Sequence, residues 1–357
     1  MTDRASMPEF PPDSPDDEAV STALLEQLSA EAGAGLEFVD ALVRLTGGFE
    51  TFTYGFRVSA ESGPLSGPLV LRVFRERGAE TQGRREAAFQ NALAGLGYPV
   101  PRVVLQVGSP GIGGRPFNLM KRVSGRPMMA DLFDGTADLE SVPGRLVRLH
   151  ASLHEIPPAP VIEAVEGTGF SADAFSIWHR LDRLGRYFDE QEFEGLRPVW
   201  DWLGENRPEE RETPAVCHGD FHPGNVMVDD GAVSGVIDWP GASFADAEHD
   251  VSVTLVLVGV VAGGMFPEAR EMLQGFRSAY LDAYKERRAL DHTLLEYYEV
   301  MRSFFGFVRG AAAVTPGVNA DLLPRGGYPW ADGWVMQQGA ARIGEITGLA
   351  LPLPEGA

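Results

Sequence analysis

His218, Asp220 and Asn225 fall within eight residues, and Asp238 follows thirteen residues after Asn225, in the segment VCHGDFHPGNVMVDDGAVSGVIDWPGASFADAEHD. Asp220 is a carboxylate that can orient a hydroxyl and take its proton. Asn225 and Asp238 offer an amide oxygen and a carboxylate oxygen, the hard donors that Mg²⁺ prefers. Two protein ligands suffice when phosphates and waters complete its shell. With one ligand on a loop and the other at the end of the next strand, both would lie on one wall. The same residues also permit an ordinary polar turn with capping side chains. A third reading is a transition-metal site from His218, Asp220 and His222, since residues two apart share a strand face. Pro223-Gly224 fits a loop better than a strand.

The flanking elements follow from hydrophobic period and turn residues. Residues 1–17, rich in Pro and Asp, are expected to be disordered. A helix is expected at Val20–Ala32 and a strand at Leu36–Leu45. Phe52, Tyr54, Phe56 and Val58 alternate with polar or small residues, a strand signal. Leu69–Phe74 is a second strand and Gly83–Gly95 a helix. Pro101–Gly108 and Phe117–Val123 are further strands. Beyond residue 123 the pattern turns helical: Gly144–Ile156, Ala174–Asn206, Asp246–Ala262, Pro267–Ala289, His292–Gly310 and Trp334–Thr347, with short strands near Val216 and over Val226–Ile237. The expected organisation is an N-terminal lobe over 18–122 and a C-terminal lobe over 123–357. The fold class is α+β, a small antiparallel β lobe followed by a larger, mainly helical one.

The spacing from Asp220 to Asn225 equals that in the protein-kinase loop H-R-D-x-x-x-x-N, and Ile237-Asp238-Trp239 stands where kinases carry D-F-G. The chain resembles the aminoglycoside phosphotransferase family of protein-kinase-like small-molecule kinases. HGDFHPGN, VIDW, the strand VLRV and WLGENRP carry the resemblance, which runs from about Leu42 to Asp250. It implies a two-lobed protein-kinase-like fold with Asp220 as catalytic base, Asn225 and Asp238 as Mg²⁺ ligands and His218 as support for the loop. Where the family often has Gly-Asp-Pro and then a further Asp, this chain has Ala245-Asp246-Ala247 and then Asp250. That departure leaves the metal ligands intact and the substrate side harder to assign.

On the nucleotide side, Gly47 and Gly48 sit in a turn between two strands, where backbone N–H groups can approach phosphate oxygens. A plain hairpin turn reads equally well. A kinase needs a cation on the next strand, held by a helix carboxylate. No lysine precedes Lys121, so Arg72 is the candidate and Glu86 its partner. The alternative is a surface arginine with a solvated glutamate. The resemblance further implies that Phe117–Val123 connects the lobes and binds adenine through Lys121 and Val123, with Met120 lining the pocket; an ordinary strand edge is the other reading. His150 and His154 share a helix face but have no carboxylate at matching spacing, so they read as packing or surface residues.

Charge is uneven. Residues 1–40 hold 10 acids and 1 base, residues 41–122 hold 5 acids and 11 bases, and the rest hold 36 acids and 18 bases. A basic N-terminal region suits a polyphosphate, and an acidic remainder suits a cationic acceptor, although such acids also serve solubility alone. No broad basic face for a nucleic acid is expected. Val251–Ala262 is too short to span a membrane and reads as a buried helix. The single cysteine, Cys217, rules out an internal disulfide. With no secretory signal read at the N-terminus, a cytoplasmic location is expected. The expected reaction is Mg²⁺-dependent transfer of the γ-phosphate of ATP or GTP to a hydroxyl of a small molecule, aminoglycoside- or macrolide-like. A metabolite kinase for choline, a sugar or a sugar-amine, and a nucleotide-binding pseudokinase, stand as alternatives. Trp178, Trp239, Phe244, Tyr328, Trp330 and Trp334 are the aromatic supply for an acceptor pocket, most of them expected in the core.

Overall fold

The computed structural model describes residues 15–45, 50–135, 141–190, 194–314 and 329–354. The chain is α+β and divides into two compact units. One holds the described residues up to Ala87 together with Arg102–Arg122; the other holds Ala88–Pro101 and the described residues from Val123 onward.

The first unit is a five-stranded antiparallel sheet. It contains β1 (Phe38–Leu45), β2 (Thr51–Val58), β3 (Leu69–Phe74), β4 (Val103–Ile112) and β5 (Arg115–Lys121), in the order β1-β2-β3-β5-β4. Alternation explains the layer. Phe52, Tyr54, Phe56 and Val58 are all buried, and with Leu69, Leu71 and Val73 they form one core with Val20, Leu24 and Leu28 of helix α1 (Asp17–Ala32). The Asp16 carboxylate caps that helix by accepting the Ala19 N–H at 3.1 Å. The helix therefore starts inside the stretch expected to be disordered, because a capped, acidic first turn favours it. Residues 1–14 of that stretch lie outside the described residues, as do Gly47 and Gly48.

Helix α2 (Glu80–Gly95) changes unit along its length. Ala88–Pro101 was expected with the first lobe. Phe89, Leu93 and Tyr98 instead bury among Leu146, Phe175 and Trp239 of the helical core. The second unit contains a two-stranded ribbon, β7 (Ala215–Cys217) with β10 (Ser243–Ala245), and a three-stranded sheet ordered β6-β8-β9 from Arg126–Pro127, Val226–Asp229 and Ala232–Val236. Helices of this unit that bear on the site are α3 (Met128–Phe133), α4 (Ser141–His154), α5 (Pro158–Glu166), α6 (Ile177–Glu190), α7 (Arg197–Glu205) and α8 (Ala247–Val256). The expected single helix over Ala174–Asn206 is instead α6 and α7. Pro198 occupies the first turn of α7, where its missing N–H costs nothing, and it would have broken a continuous helix. Helix α8 continues through a π-helical turn to Met265; it is long and apolar, yet 78% of its most apolar stretch is buried inside the protein.

Candidate active site

The strand β7 ends at Cys217 and hands the chain to a loop, His218–Asn225, which returns as β8. An Asp230-Gly231 turn, both residues with positive φ, folds β8 back onto β9 with Val226 opposite Val236. Asp-Gly is the residue pair such a two-residue hairpin favours. The register brings the two ends together: the Ile237 N–H donates to the Asn225 carbonyl at 2.9 Å. Asp238 follows at φ 68, a left-handed backbone rare outside glycine.

Side chains fix the loop from both flanks. His218 is fully buried; its Nδ1 accepts the Asp220 N–H at 3.1 Å and its Nε2 donates to the Ile237 carbonyl at 3.0 Å. One imidazole thus ties the proposed base to the residue preceding the proposed metal ligand. This arrangement requires the neutral Nε2–H tautomer. Burial pushes the His218 pKa down, against the pull of Asp250, Asp220 and Asp238. Asn225 Nδ2 donates to the Asp220 carbonyl at 2.9 Å and to its carboxylate at 3.1 Å. With both partners acceptors, the amide is oriented, and its Oδ1 is the atom left for a cation. Gly219 has φ 76, and a Cβ there would stand 2.2 Å from the Gly241 carbonyl oxygen, so only glycine fits where the loop crosses the 240–242 segment.

Beneath the loop lies a hub that the sequence reading missed. The Asp250 carboxylate, on the first turn of α8, accepts the His218 and Gly219 N–H groups at 2.6 and 2.7 Å. It also meets His150 Nε2 at 2.9 Å and His154 Nε2 at 3.2 Å. The other nitrogens of those rings meet the hydroxyls of Tyr280 and Tyr284 at 2.6 and 2.5 Å. Neutral rings satisfy every atom, each donating through Nε2 to the carboxylate and accepting the tyrosine O–H at Nδ1. Burial, with neighbouring His154, lowers the His150 pKa to about 4. Burial would raise the Asp250 carboxyl, but the histidines and their hydrogen bonds outweigh it and hold it well below its usual range. The three ligand-type atoms lie within 4.8 Å of one another, the spacing of a metal site, but hydrogen bonds already occupy them. His150 and His154 are therefore buried packing residues on a carboxylate contributed from about 100 residues away. The reading of a metal site from His218, Asp220 and His222 fails on geometry. Both His218 nitrogens are engaged, and His222 Nδ1 accepts the Gly224 N–H at 3.0 Å while its Nε2 stands 3.8 Å from Asp220.

Buried neutral histidines make stability depend on pH. His150 and His249 are pushed to about 4 and His218 is lowered, each by burial first. The unfolded chain binds these protons near 6.5, so their contribution is complete above that pH and is lost as pH falls toward about 4. Each such histidine should cost ~1.4 kcal/mol per pH unit within that window. Urea midpoints should be level above pH 7 and fall steadily below pH 6; midpoints unchanged down to pH 4.5 would contradict neutral burial.

In the first unit, Arg72 of β3 and Glu86 of α2 form a buried ion pair, and Arg72 Nε also meets Thr51 Oγ1 at 3.4 Å. Glu50 accepts a hydrogen bond from Gln82 at 2.6 Å. Met120 is buried beside Ala87 and Val103. Lys121 closes β5, its N–H donating to the Arg102 carbonyl at 3.0 Å and its Nζ to the Ser66 carbonyl at 2.5 Å. Val123 belongs to the second unit, where it packs closely on Gly235.

The sequence profile of the phosphotransferase enzyme family, APH, matches residues 42–290. The chain belongs to that family. Among curated relatives, acyl-CoA dehydrogenase family member 11 from Pongo abelii is 25% identical over 179 residues, 46% of this chain and 22% of that protein. Viomycin phosphotransferase from Streptomyces vinaceus is 27% identical over 200 residues, 51% of this chain and 65% of its own length. The chain thus spans about a fifth of the first relative and just under two thirds of the second. The fold is shared with aminoglycoside-3′-phosphotransferase of type VIII, at TM-score 0.54 and 23% identity, covering 80% of this chain and 99% of that one. It is also shared with a thermostable aminoglycoside phosphotransferase mutant in ternary complex with AMP-PNP and hygromycin B, at TM-score 0.53 and 16% identity, covering 92% and 100%. Asp250 and His150 could have been paired from sequence only by knowing that α4 and α8 meet; no local spacing signals it.

Proposed function

We propose that this family member transfers the γ-phosphoryl group of ATP or GTP to a hydroxyl of a small molecule. The observation that carries the reading is the His218 bridge, which fixes Asp220, Asn225 and the Ile237-Asp238 corner in one hydrogen-bonded frame. Asp220, half-buried, accepts the proton of the attacking hydroxyl. The hydroxyl oxygen bonds to the γ-phosphorus, and the bond to the β-phosphate bridging oxygen breaks to release nucleoside diphosphate. Asn225 Oδ1 and the Asp238 carboxylate are hard oxygen donors on adjoining backbone, a set that fits Mg²⁺. Bound there, Mg²⁺ would neutralise phosphate charge. Arg72, oriented by Glu86, supplies a planar guanidinium suited to phosphate oxygens. For the acceptor we propose an antibiotic-like polyhydroxylated amine. The excess of acids over bases beyond residue 122 and the name of the viomycin phosphotransferase relative support it.

Diphosphate release from ATP and from GTP, measured over a panel of aminoglycosides, macrolides, choline and amino sugars, tests this reading. One acceptor class should stimulate release in Mg²⁺ and not in EDTA. Nucleotide binding with no acceptor-dependent release would instead make the chain a regulatory pseudokinase.

A further inference from the structure

In the second unit a cavity of about 130 Å³ opens between α5, α6, β10 and the segment 206–214. It is smaller than a pocket for a whole drug-sized ligand and has room for one polar head group. Trp178, Phe244 and Tyr298 supply its aromatic wall, and Asp173, Glu210, Arg211 and Asp246 its charges. Asp246 is 5% exposed. One of its oxygens accepts the Tyr298 hydroxyl at 2.5 Å; the other lies 2.7 Å from Arg211 Nε yet receives no aligned hydrogen bond. Next to it Glu248, 3% exposed, has one oxygen on the Asp291 N–H at 3.0 Å. Its other oxygen is buried without a hydrogen bond, 3.5 Å from Arg211. Two buried carboxylates thus share one guanidinium that aligns with neither, and that side chain stays 43% exposed. An unaligned contact leaves much of the desolvation cost of the carboxylates uncompensated. Burial accordingly raises the Asp246 pKa, although Tyr298 and Arg211 oppose it.

The segment that carries Arg211 has neither helix nor strand and is largely exposed. It places a second guanidinium, that of Arg207, 4.4 Å from the centre of the Trp178 ring. Both cations therefore come from the surface, and both rest on groups that would hold an incoming cation equally well. We propose that this cavity binds a small organic cation, an ammonium or guanidinium held by Asp246 and Tyr298 beside Trp178, and that Arg211 is its internal stand-in. The site is separate from the catalytic loop. Ala215 and Ala245 line up at the cavity end of the ribbon and His218 follows its other end, about 10 Å away at ~3.3 Å per residue. The proposal does not depend on phosphoryl transfer.

Calorimetry with butylguanidinium, and with neutral butylurea as control, tests it on the full chain. Arg211→Ala removes the internal competitor and should bind butylguanidinium at least about tenfold more tightly than the unsubstituted protein. Asp246→Asn should lose that binding, and butylurea should not bind. If Asp246→Asn does not fold, the Arg211→Ala comparison decides alone. Equal affinity in Arg211→Ala and unsubstituted protein, or none measurable at millimolar probe in Arg211→Ala, overturns the proposal. So does an affinity that is lost in Asp220→Asn, since the cation would then sit at the catalytic loop.

Discussion

Asp220→Asn should lower kcat by ~10²-fold or more while Mg²⁺–nucleotide affinity stays nearly unchanged. The amide keeps the shape, and its oxygen can still accept the Asn225 Nδ2 hydrogen bond now made at 3.1 Å, so the loop should persist. What disappears is the charge and the proton acceptor, both of which act on the hydroxyl rather than on the nucleotide. Asp238→Asn should behave differently. It removes a carboxylate oxygen proposed to face the ion, so nucleotide binding should weaken in Mg²⁺, and turnover should fall with it. Calorimetry with and without Mg²⁺ separates the two, with coupled diphosphate release for turnover. Wild-type turnover in Asp220→Asn would mean that the loop has been assigned to the wrong chemistry. Normal Mg²⁺–nucleotide binding in Asp238→Asn would remove that residue from the ion.

The loop and its return strand were legible because their determinants are local. HGDFHPGN, the Asp230-Gly231 turn and the apolar strand before Asp238 lie within 21 residues, and hairpin register alone brings Asn225 beside Ile237. Period-two alternation likewise marked β2, and the pairing of Arg72 with Glu86 followed from a strand and the helix after it. What stayed hidden depends on which helices meet. His150 and His154 looked like idle residues because the carboxylate they face comes from α8 and the tyrosines from the helix Arg270–Arg287. The change of unit within α2 was hidden for the same reason. Phe89 and Leu93 look like the apolar stripe of any helix, and only the core around Phe175 and Trp239 claims them. The cavity at Asp246 combines residues from five separate stretches, and no spacing announces it.

Asp250→Ala should be the most destabilising single change near the site, by about 3–5 kcal/mol, since it leaves buried partners without their acceptor. Two of those partners are the His218 and Gly219 N–H groups, so the effect should reach the catalytic loop itself. Asp250→Asn tests the charge separately from the space. One Asp250 oxygen takes the His218 N–H and both histidine rings, while the other takes the Gly219 N–H. An amide can supply only one of these acceptors; its NH₂ must face a donor, either at Gly219 or at the histidines. A loss of about 1–3 kcal/mol is expected for Asp250→Asn. With the NH₂ toward Gly219, the loop bends away from its anchor and kcat falls in protein that is still fully folded. Urea midpoints give the first quantity, and turnover well below the melting temperature gives the second. A neutral hub should also increase the penalty of charging His150, because no ionised Asp250 remains to favour its protonated form. If Asp250→Asn keeps both the midpoint and kcat of the unsubstituted protein, the carboxylate is not what holds the loop, and the His218 bridge must do so alone.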